Sequence, residues 1–367
     1  MNDRDRTIDT LLGREPLTGL TDEAARLHFA GLTVLISGAA GSIGSELVRT
    51  LSTLPCHIIA YDRSEIGLTR LIAEHAKGSW KARLTPFLGD INQSNLLNLA
   101  FRTHRPGLVI HAAAYKHLPL LEYFPIQAVT NNVIGAREVL LTAVHYETPK
   151  FLLVSTDKAC NPTSVMGATK RVAEMSTLNP FTTAGKHTRP IVVRLGNVLG
   201  SSGSVLPLFE AQIAAGGPLT VTHPDATRFF MSLQEAASLI LTSAAMGEGY
   251  ETFVPDMGEP VNIADLARRL VELRCKRVSG KIDPFEIKFT GMRPGEKLTE
   301  QLFIGDRTLT AHPRIWTVKN EVEGRFISTY WNALERALDQ CDANAVMTYL
   351  QRMAPEYTPI DNSQGGS

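Results

Sequence analysis

Short apolar runs rich in β-branched and aromatic residues recur along the first half of the chain, each followed by a longer stretch with helical spacing. The runs are Leu32–Ser37, His57–Tyr61, Leu84–Leu88, Leu108–Ile110, Phe151–Ser155 and Ile191–Leu195, and they predict buried strands. Strand and helix in this alternation build a doubly wound, mostly parallel sheet, so the expected class is α/β. From about Leu199 the rhythm changes. LGSSGSVLPLFEAQIAAGGPLTVTHPDATRFFM is rich in Gly, Ser and Pro and predicts a smaller, loop-rich lobe across the strand ends. Within that lobe Pro260–Leu273 predicts a helix with Asn262 as cap, and Phe285–Thr290 a short strand. The expected division is an arm at 1–30, packed on the domain that follows, a first domain at 31–200 and a second lobe at 201–350. Some segments of that lobe are expected to return to the first domain, and 351–367 to form a disordered polar tail.

Composition narrows the partners. The chain has 367 residues with 37 Lys plus Arg against 37 Asp plus Glu, so no global field draws it to nucleic acid or an anionic membrane. A hydrophobic fraction of 44% supports a sizeable core. The four cysteines, Cys56, Cys160, Cys275 and Cys341, have no paired or metal-ligating spacing and read as free thiols in a reducing compartment. The N-terminal MNDRDRTIDT is charged and unlike a secretory signal, and no apolar run approaches the ~18 residues of a membrane span. A soluble, cytoplasmic protein without a metal is expected.

Candidate chemistry starts at the first strand end. Gly38, Gly41 and Gly44 follow Leu32–Ser37 directly and open a helix, with Ala40, Ser42 and Ile43 between them. Small residues are needed where a backbone must turn tightly, approach a pyrophosphate and offer helix N-terminal N–H groups to it. Asp62 ends the second strand, placed to meet the ribose hydroxyls of an adenosine, with Arg63 and Ser64 beside it. Asp90 and Ile91 after the third strand are expected at the adenine. Ala112, Ala113 and Ala114 after the fourth let a dinucleotide lie close, and Asn132 on the next helix is expected to brace the site. These features make the first domain a Rossmann-type one. Asp62 favours NAD because a carboxylate repels a 2′-phosphate, while Arg63 could pair with that phosphate, which keeps NADP as the alternative.

The fifth run ends in Ser155, Thr156, Asp157 and Lys158, at the edge where open α/β sheets bind ligands. After a turn at Asn161–Pro162, Met166 and Lys170 lie one turn apart on one helical face.

Together these pieces resemble the nucleotide-sugar 4,6-dehydratases of the extended short-chain dehydrogenase/reductase superfamily. Within them the chain is most similar to the polysaccharide-biosynthesis group acting on UDP-N-acetylglucosamine. The residues carrying the resemblance are SGAAGSIGSELVR from 37, HAAAYKHLPLLE from 111, STDKACNPTSVMGATKR from 155, RLGNVLGSSGSVLPLF from 194, TVTHPDATRFFM from 220 and GMRPGEKLTEQL from 291. Some members carry this unit behind membrane-spanning helices, and the chain looks like a soluble short form. The resemblance implies a tightly held, recycled NAD, hydride removal at C4 of the hexose, loss of water across C5 and C6, and hydride return at C6.

It also implies roles. Asp157 would be the acid, kept protonated, and Lys158 the base, kept partly neutral; Thr156 would meet the C4 hydroxyl and Lys170 the nicotinamide ribose. Most of the superfamily has Tyr where this chain has Met166, and members with Met are associated with retention at C5. The expected product is UDP-2-acetamido-2,6-dideoxy-α-D-xylo-hexos-4-ulose. Arg228, Arg293, Thr222 and Glu296 would hold the uridine diphosphate, with Asn197 and Val205 flanking it and Lys116 and His117 bordering the sugar. Trp80 and Trp316 are assigned to packing, and a homo-oligomer is expected by analogy. A C5-inverting dehydratase, a 4-epimerase, a dehydrogenase and a non-catalytic cofactor sensor are the alternatives. The last three leave Asp157–Lys158 without a task.

Overall fold

Alternate residues of a buried strand face opposite sides of a sheet, and here both sides are apolar. In the computed structural model, which describes residues 8, 10–14, 23–78, 80–180, 182, 187–278, 285–319 and 327–360, the predicted strands form one sheet. They are β1 (Thr33–Ser37), β2 (His57–Asp62), β3 (Arg83–Leu88), β4 (Leu108–His111), β5 (Lys150–Thr156) and β6 (Arg189–Leu195), all parallel, in the order β3-β2-β1-β4-β5-β6. This is the Rossmann order, with its crevice where β1 and β4 diverge. Leu35, Ile59, Val109, Phe151 and Val192 pack under helices Ser94–His104 and Gly135–His145. Val34, Ile58, Ile110, Leu152 and Val193 face helices Ser42–Leu51 and Leu233–Met246 on the other side.

The sheet does not stop at β6. Thr252–Pro255 adds a parallel strand, and Ile315–Val318 and Arg307–Leu309 follow antiparallel, making nine strands. The remaining second lobe has its own core, built from helices Val205–Ala214 and Ile263–Val278 and the paired strands Leu219–Val221 and Ile287–Phe289. Asn262 accepts a hydrogen bond from the Asp265 amide, 3.1 Å away, as the expected cap of the second helix.

Both ends of the chain depart from expectation. Ile8, Leu11 and Leu12 are buried in the core of the second lobe, not on the domain that follows them, and Arg14 reaches the Phe230 carbonyl at 3.1 Å. Apolar side chains within a polar arm found the nearest unfilled core. The first ten residues of the expected tail are ordered and packed. Helices Trp331–Asp339 and Ala343–Met353 pack with helix Val165–Thr177, and Tyr357 is buried with them. Thr358 and Ile360 then donate backbone hydrogen bonds to the Pro162 and Thr163 carbonyls. Residues 361–367 lie outside the described residues. Cys56 and Cys160 are buried free thiols and Cys341 an exposed one; the side chain of Cys275 is outside the described set. No helix among the described residues is long and apolar enough to cross a membrane.

Candidate active site

The glycine turn is dictated by sterics. Gly38 has φ +74°, and a Cβ there would stand 2.6 Å from the Ala113 amide nitrogen. A Cβ on Gly44 would stand 2.0 Å from the Gly38 carbonyl oxygen. Both glycines are therefore required, one for the turn and the other for seating the helix against it. Gly41 caps helix Ser42–Leu51, so the Ser42 and Ile43 amides begin the helix and aim out of its N-terminus. Asp62 ties the turn to β2, its two oxygens accepting from the Ala40 and Ser64 amides, each at 2.8 Å.

These residues open onto a cleft of about 240 Å³. Gly38, Ala40, Gly41, Asp62, Arg63, Ser64, Asp90, Ile91, Ala112, Ala113 and Ala114 all line it, so most of the expected cofactor residues converge. The bare backbone cradle and the free helix N-terminus fit a dinucleotide. Tyr61 and Tyr115 line it as well and were not anticipated, and so does Asn131, one of the two helical asparagines expected at the site. Tyr61 donates to the Asp90 carbonyl at 2.8 Å, and the Arg63 guanidinium lies 4.8 Å from the Tyr115 ring centre and 3.4 Å from Asp90. Arg63 is thus drawn toward Asp90, the residue expected at the adenine. Asn132 sits behind the cleft, where it bonds both backbone groups of Tyr115 and the Thr169 hydroxyl, 2.8–3.1 Å apart. Its helix widens to a π-turn at Thr130–Ile134, a distortion that lets two adjacent asparagines face inward.

At the neighbouring strand end, β5 turns into a single 3₁₀ turn, Asp157–Ala159. Asp157 is fully buried. Its Oδ1 accepts from the Thr156 hydroxyl at 2.8 Å and from Lys158 Nζ at 2.9 Å, while its Oδ2 has no hydrogen bond among the described residues. Lys158 Nζ also donates to Asn197 Oδ1 at 2.8 Å and lies 3.5 Å from Glu300. Burial works against this ammonium, but Asp157 and Glu300 outweigh it and hold the Lys158 pKa above its ordinary value. The expectation of a partly neutral Lys158 is therefore reversed in the ligand-free site. Asp157 contributes most to this, and Glu300, distant in sequence, adds to it.

Lys170 behaves oppositely. Its ammonium is buried, donates to the Val154 carbonyl at 2.7 Å, and burial lowers its pKa to about 8. His111, buried beneath it, bonds the Ser37 hydroxyl at 2.7 Å; burial and then Lys170 push its pKa down to about 3. Met166 is buried in the apolar cluster of Leu121, Val129, Val172 and Met353.

The second lobe brings its candidates together across the cleft. Glu296 accepts from Arg228 Nη2 at 2.7 Å, from the Thr222 hydroxyl at 3.1 Å and from the Arg293 amide at 3.2 Å. Lys116, whose pKa burial lowers, donates to Ser201 at 3.4 Å, and His117 packs against Gly203. The Ser202 amide donates to Ser42 at 3.0 Å, joining this loop to the glycine turn. Val205 opens helix Val205–Ala214. Asn197, expected beside the diphosphate, is a direct partner of Lys158. Glu300 was missed by sequence reasoning. It lies four positions after Glu296, and its only signal was membership of the GMRPGEKLTEQL stretch.

With this geometry in view, a family model described as "Polysaccharide biosynthesis protein" matches residues 34–320. The chain belongs to that family. The capsular polysaccharide biosynthesis protein CapD of Staphylococcus aureus is 43% identical over 80% of the chain and 49% of its own length. The chain thus spans about half the length of the first curated relatives it matches. A UDP-N-acetylglucosamine 4,6-dehydratase (inverting) of Campylobacter jejuni is 34% identical over 76% of the chain and 79% of that protein. Among solved structures, Pen from Bacillus thuringiensis superposes with a TM-score of 0.73 at 30% identity, covering 81% of this chain and 90% of that one. UDP-glucose 4-epimerase of Thermus thermophilus, solved with NAD, gives 0.61 at 20% identity over 74% and 90% of the two chains, and shares the fold.

Proposed function

We propose that this family member binds NAD in the glycine-turn cleft and dehydrates UDP-N-acetylglucosamine across C5 and C6, with retention at C5. The product would be UDP-2-acetamido-2,6-dideoxy-α-D-xylo-hexos-4-ulose. The Asp157–Lys158 pair carries the reading: a buried acid and an amine in contact, with one carboxylate oxygen unbonded, at the strand end beside the cofactor cleft. Epimerisation at C4 moves a hydride and needs no such pair; elimination needs an acid and a base together. The relatives include both activities, a dehydratase at 34% identity and UDP-glucose 4-epimerases at 32% and 33%, so the pair itself makes the choice.

NAD, when bound, supplies a reversible hydride acceptor. The residues of the chain supply the protons. Passing one proton from Lys158 Nζ to Asp157 over 2.9 Å makes a neutral amine and a neutral acid, the two states elimination requires. Asp157 then protonates the departing C6 hydroxyl and Lys158 accepts the C5 proton, which restores the charged pair. Thr156, hydrogen-bonded to Asp157, is placed to hold the C4 oxygen. Lys158 later returns a proton to C5 on the face it left, and the pair regains its proton from water, balancing the one that the C4 hydroxyl releases to water past Thr156 as C4 is oxidised. Met166 has no proton to deliver from another direction, so one base on one face gives retention. Arg228, Arg293, Thr222 and Glu296 would receive the uridine diphosphate.

The relative described as inverting favours a second reading, the same dehydration with C5 inverted. Incubation with UDP-N-acetylglucosamine in deuterated water, read by mass spectrometry and NMR, separates the two. Loss of water with one deuterium at a gluco-configured C5 supports retention; an inverted C5 supports the second reading. A C4 epimer of unchanged mass defeats both.

A further inference from the structure

Glu300 has no place in the chemistry above, yet it is buried at the centre of the site. Its Oε1 lies 3.5 Å from Lys158 Nζ and 3.8 Å from Arg228 Nε, and its Oε2 lies 4.0 Å from Lys297 Nζ without a hydrogen bond among the described residues. Two other acids are closed by contrast: buried Glu174 meets Arg194 at 2.7 and 2.9 Å, and half-buried Glu296 meets Arg228 at 2.7 Å. A carboxylate buried for stability alone would close on one cation in the same way, because the charge is otherwise poorly compensated. Glu300 stands back from three. It is also held there from a distance, since Arg194 donates to the carbonyl of Leu302, two residues on.

We propose that Glu300 is a positioning residue of the catalytic pair: it steers Lys158 Nζ between Asp157 and Asn197 and sets how tightly the pair holds its shared proton. This rests on the dehydratase reading for its purpose, though not for its electrostatics. The charged groups facing Lys158 are Asp157 on its own turn, Glu300 and Lys297 from the loop after Gly291, and Arg228 from the strand Thr227–Arg228. With Glu296 included, three carboxylates face three cations. Removing Glu300 leaves two against three, and the proton on the Asp157–Lys158 pair is then held less tightly.

The test compares the wild-type chain with Glu300→Gln and Glu300→Asp. In the ligand-free proteins, NMR of isotope-labelled lysine side chains follows Lys158, assigned through Lys158→Arg. The midpoint is expected to fall by about one pH unit in Glu300→Gln. A smaller fall is expected in Glu300→Asp, whose carboxylate is retained but drawn back. The alkaline limb of kcat/KM for UDP-N-acetylglucosamine should move to lower pH by the same amount. A Lys158 midpoint unmoved in both variants overturns the assignment, whatever happens to activity. If Glu300→Gln does not fold, the Glu300→Asp midpoint decides alone. A midpoint that falls in a chain that dehydrates no UDP-sugar upholds Glu300's role and removes the dehydratase reading instead.

Discussion

Two buried ion pairs lie at the carboxyl ends of the central strands and use the same chemistry to opposite ends. Glu174 and Arg194 join the helix Val165–Thr177 to β6 with both carboxylate oxygens engaged, and Arg194 also reaches the Leu302 carbonyl. Burial opposes both charges, but the mutual attraction wins: Glu174 is held below the ordinary carboxylate range and Arg194 above its own. Asp157 is as deeply set and Lys158 somewhat less so, but Oδ1 takes both hydrogen bonds and Oδ2 takes none among the described residues. A pair with every valence filled holds elements together. A pair with one oxygen open can still exchange a proton with something else.

The comparison predicts different losses. Asp157→Asn should lower dehydration by about a hundred- to ten-thousand-fold while leaving the melting temperature close to wild type. A comparable loss of stability would mean that Asp157 is structural like Glu174. Arg194→Leu strands a buried carboxylate and should cost about 3–5 kcal/mol in chemical denaturation. A variant as stable as wild type would break the contrast from the other side. Gly38→Ala places a Cβ against the Ala113 backbone at positive φ and should cost at least ~1–2 kcal/mol. It should also weaken NAD binding measured by calorimetry, and unchanged affinity would show that the turn does not form the cofactor cradle.

The last prediction concerns pH. His111 is buried neutral, with its pKa lowered from 6.5 to about 3, so between those values the unfolded chain binds a proton that the folded one does not. Stability should therefore fall as pH drops through that window, by about 1.4 kcal/mol per unit for this one group at most. Replacing it as His111→Gln should flatten that part of the curve. An unchanged slope from pH 6 to 4 would assign acid sensitivity to other groups.

Legibility followed sequence distance. The glycine turn, Asp62, Asp90 and the alanines after β4 could be read because each follows its own strand, and the strand order carries those ends to one crevice. Thr156, Asp157, Lys158 and Lys170 were readable for the same reason. Asn132 was expected to brace the site, and its bonds to Tyr115 and Thr169 are a brace. Nothing local announced Glu300 beside Lys158, the insertion of Ile8 and Leu11 into the second lobe, or the bonding of Thr358 and Ile360 to Pro162 and Thr163.

The sequence by itself therefore determined the alternation of strand and helix, the places where only glycine fits, and the presence of an acid and an amine side by side at a strand end. Those depend on side-chain period, sterics and covalent neighbourhood. Only the tertiary structure decided the protonation of Lys158. It did so by burying the ammonium against Asp157 and bringing Glu300 and Asn197 to it, and electrostatic fields in a buried site depend on distance in space and not along the chain.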